Sequence, residues 1–171
     1  MKRLCTRVGV VAAVCAGLAA APGVAPAASP WMPFRASDFD LPAGTRCAFP
    51  LSGRVVADDE RIRTLATFAD GSPQRQRVKG PLVVRYINED SGASVVRDLT
   101  GDALIDFGAD GSETITLRHG HLAVGLGAGD PGGPAFLVLS GHGFAVTFAP
   151  DGRRTVTPGR SDVEDICQTL A

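Results

Sequence analysis

From about residue 50 onward, apolar and polar positions alternate along most of the chain. Ile115 and Leu117 alternate with Thr114, Thr116 and Arg118. Leu122, Val124 and Leu126 alternate with Ala123, Gly125 and Gly127. Phe144, Val146 and Phe148 alternate with Ala145 and Thr147, and the stretch from Leu82 to Asn88 is β-branched and aromatic. A period of two sends successive side chains to opposite faces of an extended backbone. Each segment therefore predicts a strand with one buried face.

Two kinds of turn punctuate these segments. Asp70-Gly71, Asp90-Ser91-Gly92, Asp110-Gly111, Asp130-Pro131-Gly132 and Asp151-Gly152 recur about every twenty residues, with Gly80, Gly101, Gly120 and Gly141 midway between them. Asp-Gly is a strong hairpin signal, because glycine accepts the positive φ of a tight turn. Such short connections pair sequential strands antiparallel. They predict an all-β fold, an up-and-down meander of about 8–10 strands that curls into a barrel, with a two-sheet β-sandwich as the alternative. Hairpin ends alternate along a meander, so the Asp-bearing turns share one rim and the plain glycine turns the other.

The last segment leaves the period. Ser161 and Glu164 have capping-box spacing, and Val163, Ile166, Cys167 and Leu170 fall at helical intervals, predicting a helix over 161–170 whose apolar stripe includes Cys167. At the other end, Lys2, Arg3 and Arg7 precede an apolar run, and Ala25-Pro26-Ala27 follows it, the pattern of a secretory signal over 1–27. Pro22, Gly23 and Pro26 break the run, which argues against a membrane span. Residues 28–44, with Pro30, Pro33 and Pro42, read as an extended leader to a single domain over 45–171.

Cys5 and Cys15 lie in the signal, so the mature chain keeps Cys47 and Cys167. In an oxidising compartment this isolated pair predicts one disulfide, riveting the terminal helix to the first strand. The formal net charge is −1, and no stretch forms the basic stripe of a nucleic-acid binder.

Candidate chemistry is sparse. Gly127, Gly129 and Gly132 have the spacing of a dinucleotide loop, but Pro131 and Pro134 interrupt the helix it needs, and another strand follows. Ser91 in "EDSGAS" has no histidine before it in the order a serine protease requires, and reads as a turn residue. His119, His121 and His142 fall at plain glycine turns and are the candidates for a zinc site. The Asp-rich rim offers oxygen ligands of the kind calcium takes, although aspartate also suits turns for backbone reasons alone. Ala123, Gly125 and Gly127 form a face poor in side chains, which invites close approach by another element or by a ligand.

The signal, Cys47, "TFADGS", "NEDSG", "ADGS", "PDGR" and the closing "SDVEDICQTLA" together resemble an uncharacterised family of small secreted actinobacterial proteins. The resemblance covers most of residues 45–171. It implies a secreted, disulfide-closed β protein and brings no catalytic residue.

The function these features suggest is non-enzymatic and cofactor-free: a secreted barrel that holds a small apolar ligand. Gly127, Asp130 and Gly132 are the candidates for its rim. The alternative is an interaction module at the cell envelope or toward another extracellular protein, using a rim or an outer face; the apolar stretch from Phe136 to Leu139 suits a covered patch or a partner surface. A metal-dependent hydrolase built on the histidines is the third reading.

Overall fold

The computed structural model describes residues 29–171; the secretory signal expected over 1–27 lies outside the described residues. In chain order the strands are β1 (Met32–Pro33), β2 (Phe39–Leu41), β3 (Leu51–Asp58), β4 (Arg61–Thr67), β5 (Pro73–Gly80), β6 (Leu82–Asn88) and β7 (Ser94–Asp98). They continue with β8 (Gly101–Phe107), β9 (Glu113–Leu126), β10 (Ala135–His142), β11 (Ala145–Phe148), β12 (Arg154–Thr157) and β13 (Arg160–Asp165), followed by one short helix, α1 (Ile166–Thr169).

Every Asp-bearing turn joins strands that pair antiparallel: β4 with β5, β6 with β7, β8 with β9, β9 with β10, and β11 with β12. The plain glycine turns behave differently. At Gly80 the chain leaves a nine-stranded sheet for a four-stranded one (β2-β3-β6-β7), and at Leu99 and Thr100 it returns. Successive hairpins thus go to different layers. Of the two closures the sequence allows, the two-sheet arrangement is the one that fits.

The larger sheet is itself folded along β9. The first half of β9 pairs with β8 and β11, and the second half with β10, which in turn pairs with β13. Phe148 is in register with both Glu113 and Arg154, and Arg154 hydrogen-bonds the carbonyl of Gly125. On a straight strand Glu113 and Gly125 would stand about 40 Å apart, so β9 must double back at its centre, around Gly120. This fold brings the loop at 127–134 beside the turns at 108–112 and 149–153. The Asp-bearing turns do share a rim, and the plain glycine corners share the other.

Two apolar cores result. Leu51, Val84, Tyr86, Phe136, Val138 and Ile166 form the first, with the rings of Phe39, Tyr86 and Phe136 packed at centroid distances of 5.2 to 6.4 Å. Leu117, Val124, Leu126, Leu139, Phe144 and Val146 form the second. Strand β10 serves both, which explains the apolar character of both its faces: Phe136 and Val138 enter one core and Leu139 the other. The stretch from Phe136 to Leu139 is therefore covered within the protein.

The leader is woven into the fold. Strand β1 pairs with β4, and β2 pairs with β3. Ser29 and Phe34 add backbone bonds to Thr64 and Glu60, and Trp31 lies beneath Arg63 and Lys79, each 4.7 Å from the ring centroid.

Two expectations at the termini need correction. Residues 160–165 form strand β13 rather than the start of a helix over 161–170, and only Ile166–Thr169 is helical. Six residues of β13 pair with β10, from Leu137 opposite Asp165 to His142 opposite Arg160. Completing that ladder outweighs the local capping box. Asp165 caps the helix instead, accepting from the Cys167 amide, while Glu164 takes a two-point bond from Arg97. The Cys47–Cys167 disulfide is present, with Cα atoms 5.2 Å apart. However, Cys47 sits in the loop before β3, so the bond ties the helix to that loop and not to a strand.

Candidate functional site

Between the sheets lies a cavity of about 320 Å³. Strand alternation builds its walls. Val78 of β5, Ala103 and Ile105 of β8, and Ile115 of β9 face it from the larger sheet. Leu82 of β6, Leu99 and the second half of β9, through Leu122 and Ala123, close the opposite side, and Phe34 and Ala36 of the leader complete it. Phe144 and Tyr86 are spent in the two cores, so neither bulky ring fills this space.

Four polar side chains reach the lining: Glu60, Asp102, Glu113 and His121. Asp102 is buried and fully engaged. Arg77 binds both its oxygens, the Nε–Oδ1 bond measuring 2.9 Å, and Arg118 and His119 stand 3.8 and 3.5 Å from Oδ2. Burial pushes its carboxyl upward, but the Arg77 hydrogen bonds and the surrounding positive charges outweigh that, leaving it below the ordinary carboxylate value.

The two glutamates have the opposite character. Burial, reinforced by the neighbouring Asp58 carboxylate, raises Glu60 to about 7. Burial also raises Glu113. Neither carboxyl group has a hydrogen-bond or ion-pair partner among the described residues. The Glu60 backbone, by contrast, is fixed: its amide donates to Asp58 Oδ1 at 2.9 Å, and its carbonyl accepts from Phe34 at 2.9 Å.

The sequence-derived candidates lie elsewhere. None of Gly127, Asp130 and Gly132 lines the cavity. Asp130 instead locks its own loop, accepting from the Gly127 amide at 2.6 Å and the Arg154 amide at 2.7 Å. The Gly127 amide is thus taken by a carboxylate of the chain itself. The side-chain-poor face beside it belongs to Arg46: a Cβ on Gly125 would come within 2.8 Å of the guanidinium, and one on Gly127 within 2.9 Å. The close approach of Arg46 accounts for the missing side chains at those glycines.

The three histidines do not converge. His121 Nδ1 is 2.9 Å from Ser140 Oγ, His119 is exposed beside Asp102, and His142 is exposed at the end of β10. Among the described residues no group of three or more His, Cys, Asp or Glu side chains is placed to hold a metal ion. Three further rim aspartates are likewise occupied by their turns, whereas at Asp90 it is the backbone amide that bonds, donating to Asn88 Oδ1. Asp70 and Asp110 each accept from the amide and hydroxyl of the serine two residues on, and Asp151 accepts from the Arg153 amide. Ser91 Oγ accepts from the Ala93 amide within its turn.

Glu60 and Glu113 escaped sequence reasoning because nothing local marks them. Glu60 is the third of three consecutive acids in a corner and Glu113 the first residue of a strand, and only the pairing of distant strands turns each toward an apolar space. No family model, no curated protein and no solved structure matches the chain.

Proposed function

We propose that the protein is exported and binds a small apolar molecule between its two sheets, without catalysing a reaction. The observation that carries this reading is the cavity of about 320 Å³, walled mainly by aliphatic side chains of the larger sheet, with Leu82 from the smaller. That volume lies at the lower end of small-ligand sites, and an apolar wall with a few polar groups is their usual composition. Of the polar groups at the lining, Asp102 is engaged by Arg77 and His121 stands 2.9 Å from the Ser140 hydroxyl, which leaves the aliphatic wall as the main contact surface. Export is supported by the disulfide, which persists in oxidising compartments. No helix among the described residues is long and apolar enough to cross a membrane.

Native mass spectrometry of the protein recovered from culture medium tests the binding reading. A co-purifying small molecule, or uptake of an added apolar probe, is expected. Ala103→Phe, which fills the space from β8, should abolish uptake while the protein stays folded. A bare parent protein that takes up no probe would end this reading.

A further inference from the structure

The cavity carries acids and no permanently charged cation. Its lining holds Glu60, Asp102, Glu113 and His121, and no Lys or Arg. Arg77 neutralises Asp102, whereas Glu60 and Glu113 are left without a counter-charge. They come from different places: Glu60 from the corner between β3 and β4, Glu113 from the first residue of β9 at the opposite rim. Partial burial disfavours the charged form of a carboxyl group that has no partner, and a cation brought beside it would offset that cost.

The groups around Glu60 support that view. On its own corner stand Asp58, Asp59 and Arg61; Arg35 approaches from the leader and Lys79 from β5, and Asp102 and His121 share the lining. Arg35 lies 3.6 Å from Asp58, Arg61 lies 3.6 Å from Asp59, and Lys79 covers Trp31. Each neighbouring cation is already committed. Phe34, which lines the cavity and donates its amide to the Glu60 carbonyl, is 39% exposed, so the Glu60 end reaches the surface.

Resting on the reading of this cavity as a ligand site, we propose that its ligand is an apolar amine, with the hydrocarbon body between the sheets and the protonated amino group against the Glu60 carboxylate. A fatty acid would bring a carboxylate into a space lined by acids, where like charges repel. A neutral alcohol would leave Glu60 uncompensated. An ammonium group alone satisfies both the apolar walls and the unpaired acid, through a charge-assisted hydrogen bond.

The test compares decylamine, decanol and decanoate, one chain length with three head groups, by titration calorimetry on the intact disulfide-linked protein. At about pH 8 decylamine should bind roughly tenfold more tightly than decanol, the advantage expected of one charge-assisted bond, and decanoate should bind most weakly. At about pH 5.5, where Glu60 is protonated in the free protein, the amine advantage should shrink. Glu60→Gln should bring decylamine and decanol to within about threefold at both pH values, with its thermal melt confirming a folded protein. Glu113→Gln should keep most of the preference. Equal binding of decylamine and decanol to the parent would overturn the amine assignment while leaving the cavity reading intact. Binding of none of the three would remove the cavity reading and this inference together. Tightest binding by decanoate, or loss of the preference in Glu113→Gln but not in Glu60→Gln, would overturn the placement of an ammonium at Glu60.

Discussion

The two rims use glycine for different reasons, and the difference explains how one repeated pattern builds two kinds of connection. At the hairpin tips, Gly71, Gly92, Gly111 and Gly152 have positive φ, and a Cβ on any of them would meet nothing within 4 Å. Those positions need a backbone conformation. At the opposite rim a Cβ on Gly80, Gly101, Gly120 or Gly159 would lie 2.5, 2.7, 2.3 or 2.4 Å from a carbonyl oxygen of the neighbouring corner. Those positions need room. The tips stand free in solvent. The corners lie against one another, because each carries the chain from one layer to the next.

The strongest way to test the free-standing rim is to remove its covalent tie. The residues of the disulfide are separated by 120 positions, and closing so long a loop stabilises the fold by about 5 kcal/mol on the chain-entropy model. The Cys47→Ser, Cys167→Ser double variant should lose stability of that order in a denaturant melt. Next in size, Gly120→Ala combines a strained φ with backbone overlap and should cost about 3 kcal/mol or more. Gly159→Ala, where overlap acts without a positive φ, should cost about 2 kcal/mol. At the tips Gly152→Ala should cost only about 1 kcal/mol. A tip variant as damaging as a corner variant would collapse the distinction between the rims.

The smallest effects divide the rims by pH. Asp70 and Asp110 are held below the ordinary carboxylate value by their serine hydroxyl and amide donors. Their contribution is present above the unfolded value of about 4 and is lost as pH falls through the folded one. An Asp70→Asn, Asp110→Asn protein should therefore lose less melting temperature than the parent on acidification below about pH 4. Glu60, at the corner rim, has the opposite sign. Its folded pKa of about 7 lies above the unfolded value, so ionisation opposes folding, and the penalty grows as pH rises through that window. Glu60→Gln should raise the melting temperature near pH 8 and change it little near about pH 4. Parallel pH profiles for these variants and the parent would show that neither group is coupled to folding.

Strands, turn positions, the shared rim of the aspartates and the disulfide could be read from the chain, because each is encoded locally or by scarcity. Period-two alternation marks Ile115 to Leu117 and Leu122 to Leu126 whichever layer they join. The change of layer at Gly120 leaves no trace in that period, since a corner and a hairpin both favour glycine. The terminal helix was overestimated for a related reason. Val163, Ile166, Cys167 and Leu170 have helical spacing, but Val163 is 55% exposed, and only Ile166 and Leu170 are buried. What decides the segment is the open side of β10, nearly twenty residues or more away along the chain. The cavity depends on such distant pairings throughout, which is why a turn with a familiar glycine spacing drew attention while Glu60 did not.

The leader has a consequence for solubility. A sheet margin offers unpaired amides and carbonyls to any passing strand, and proteins that leave one open invite self-association. Here one short segment closes two margins, since β1 covers β4 of the larger layer and β2 covers β3 of the smaller. A protease nick that released residues 29–41 would bare both at once, with both apolar cores largely in place. The damaged molecule would be a folded monomer with two adhesive borders, inclined to polymerise before it unfolds.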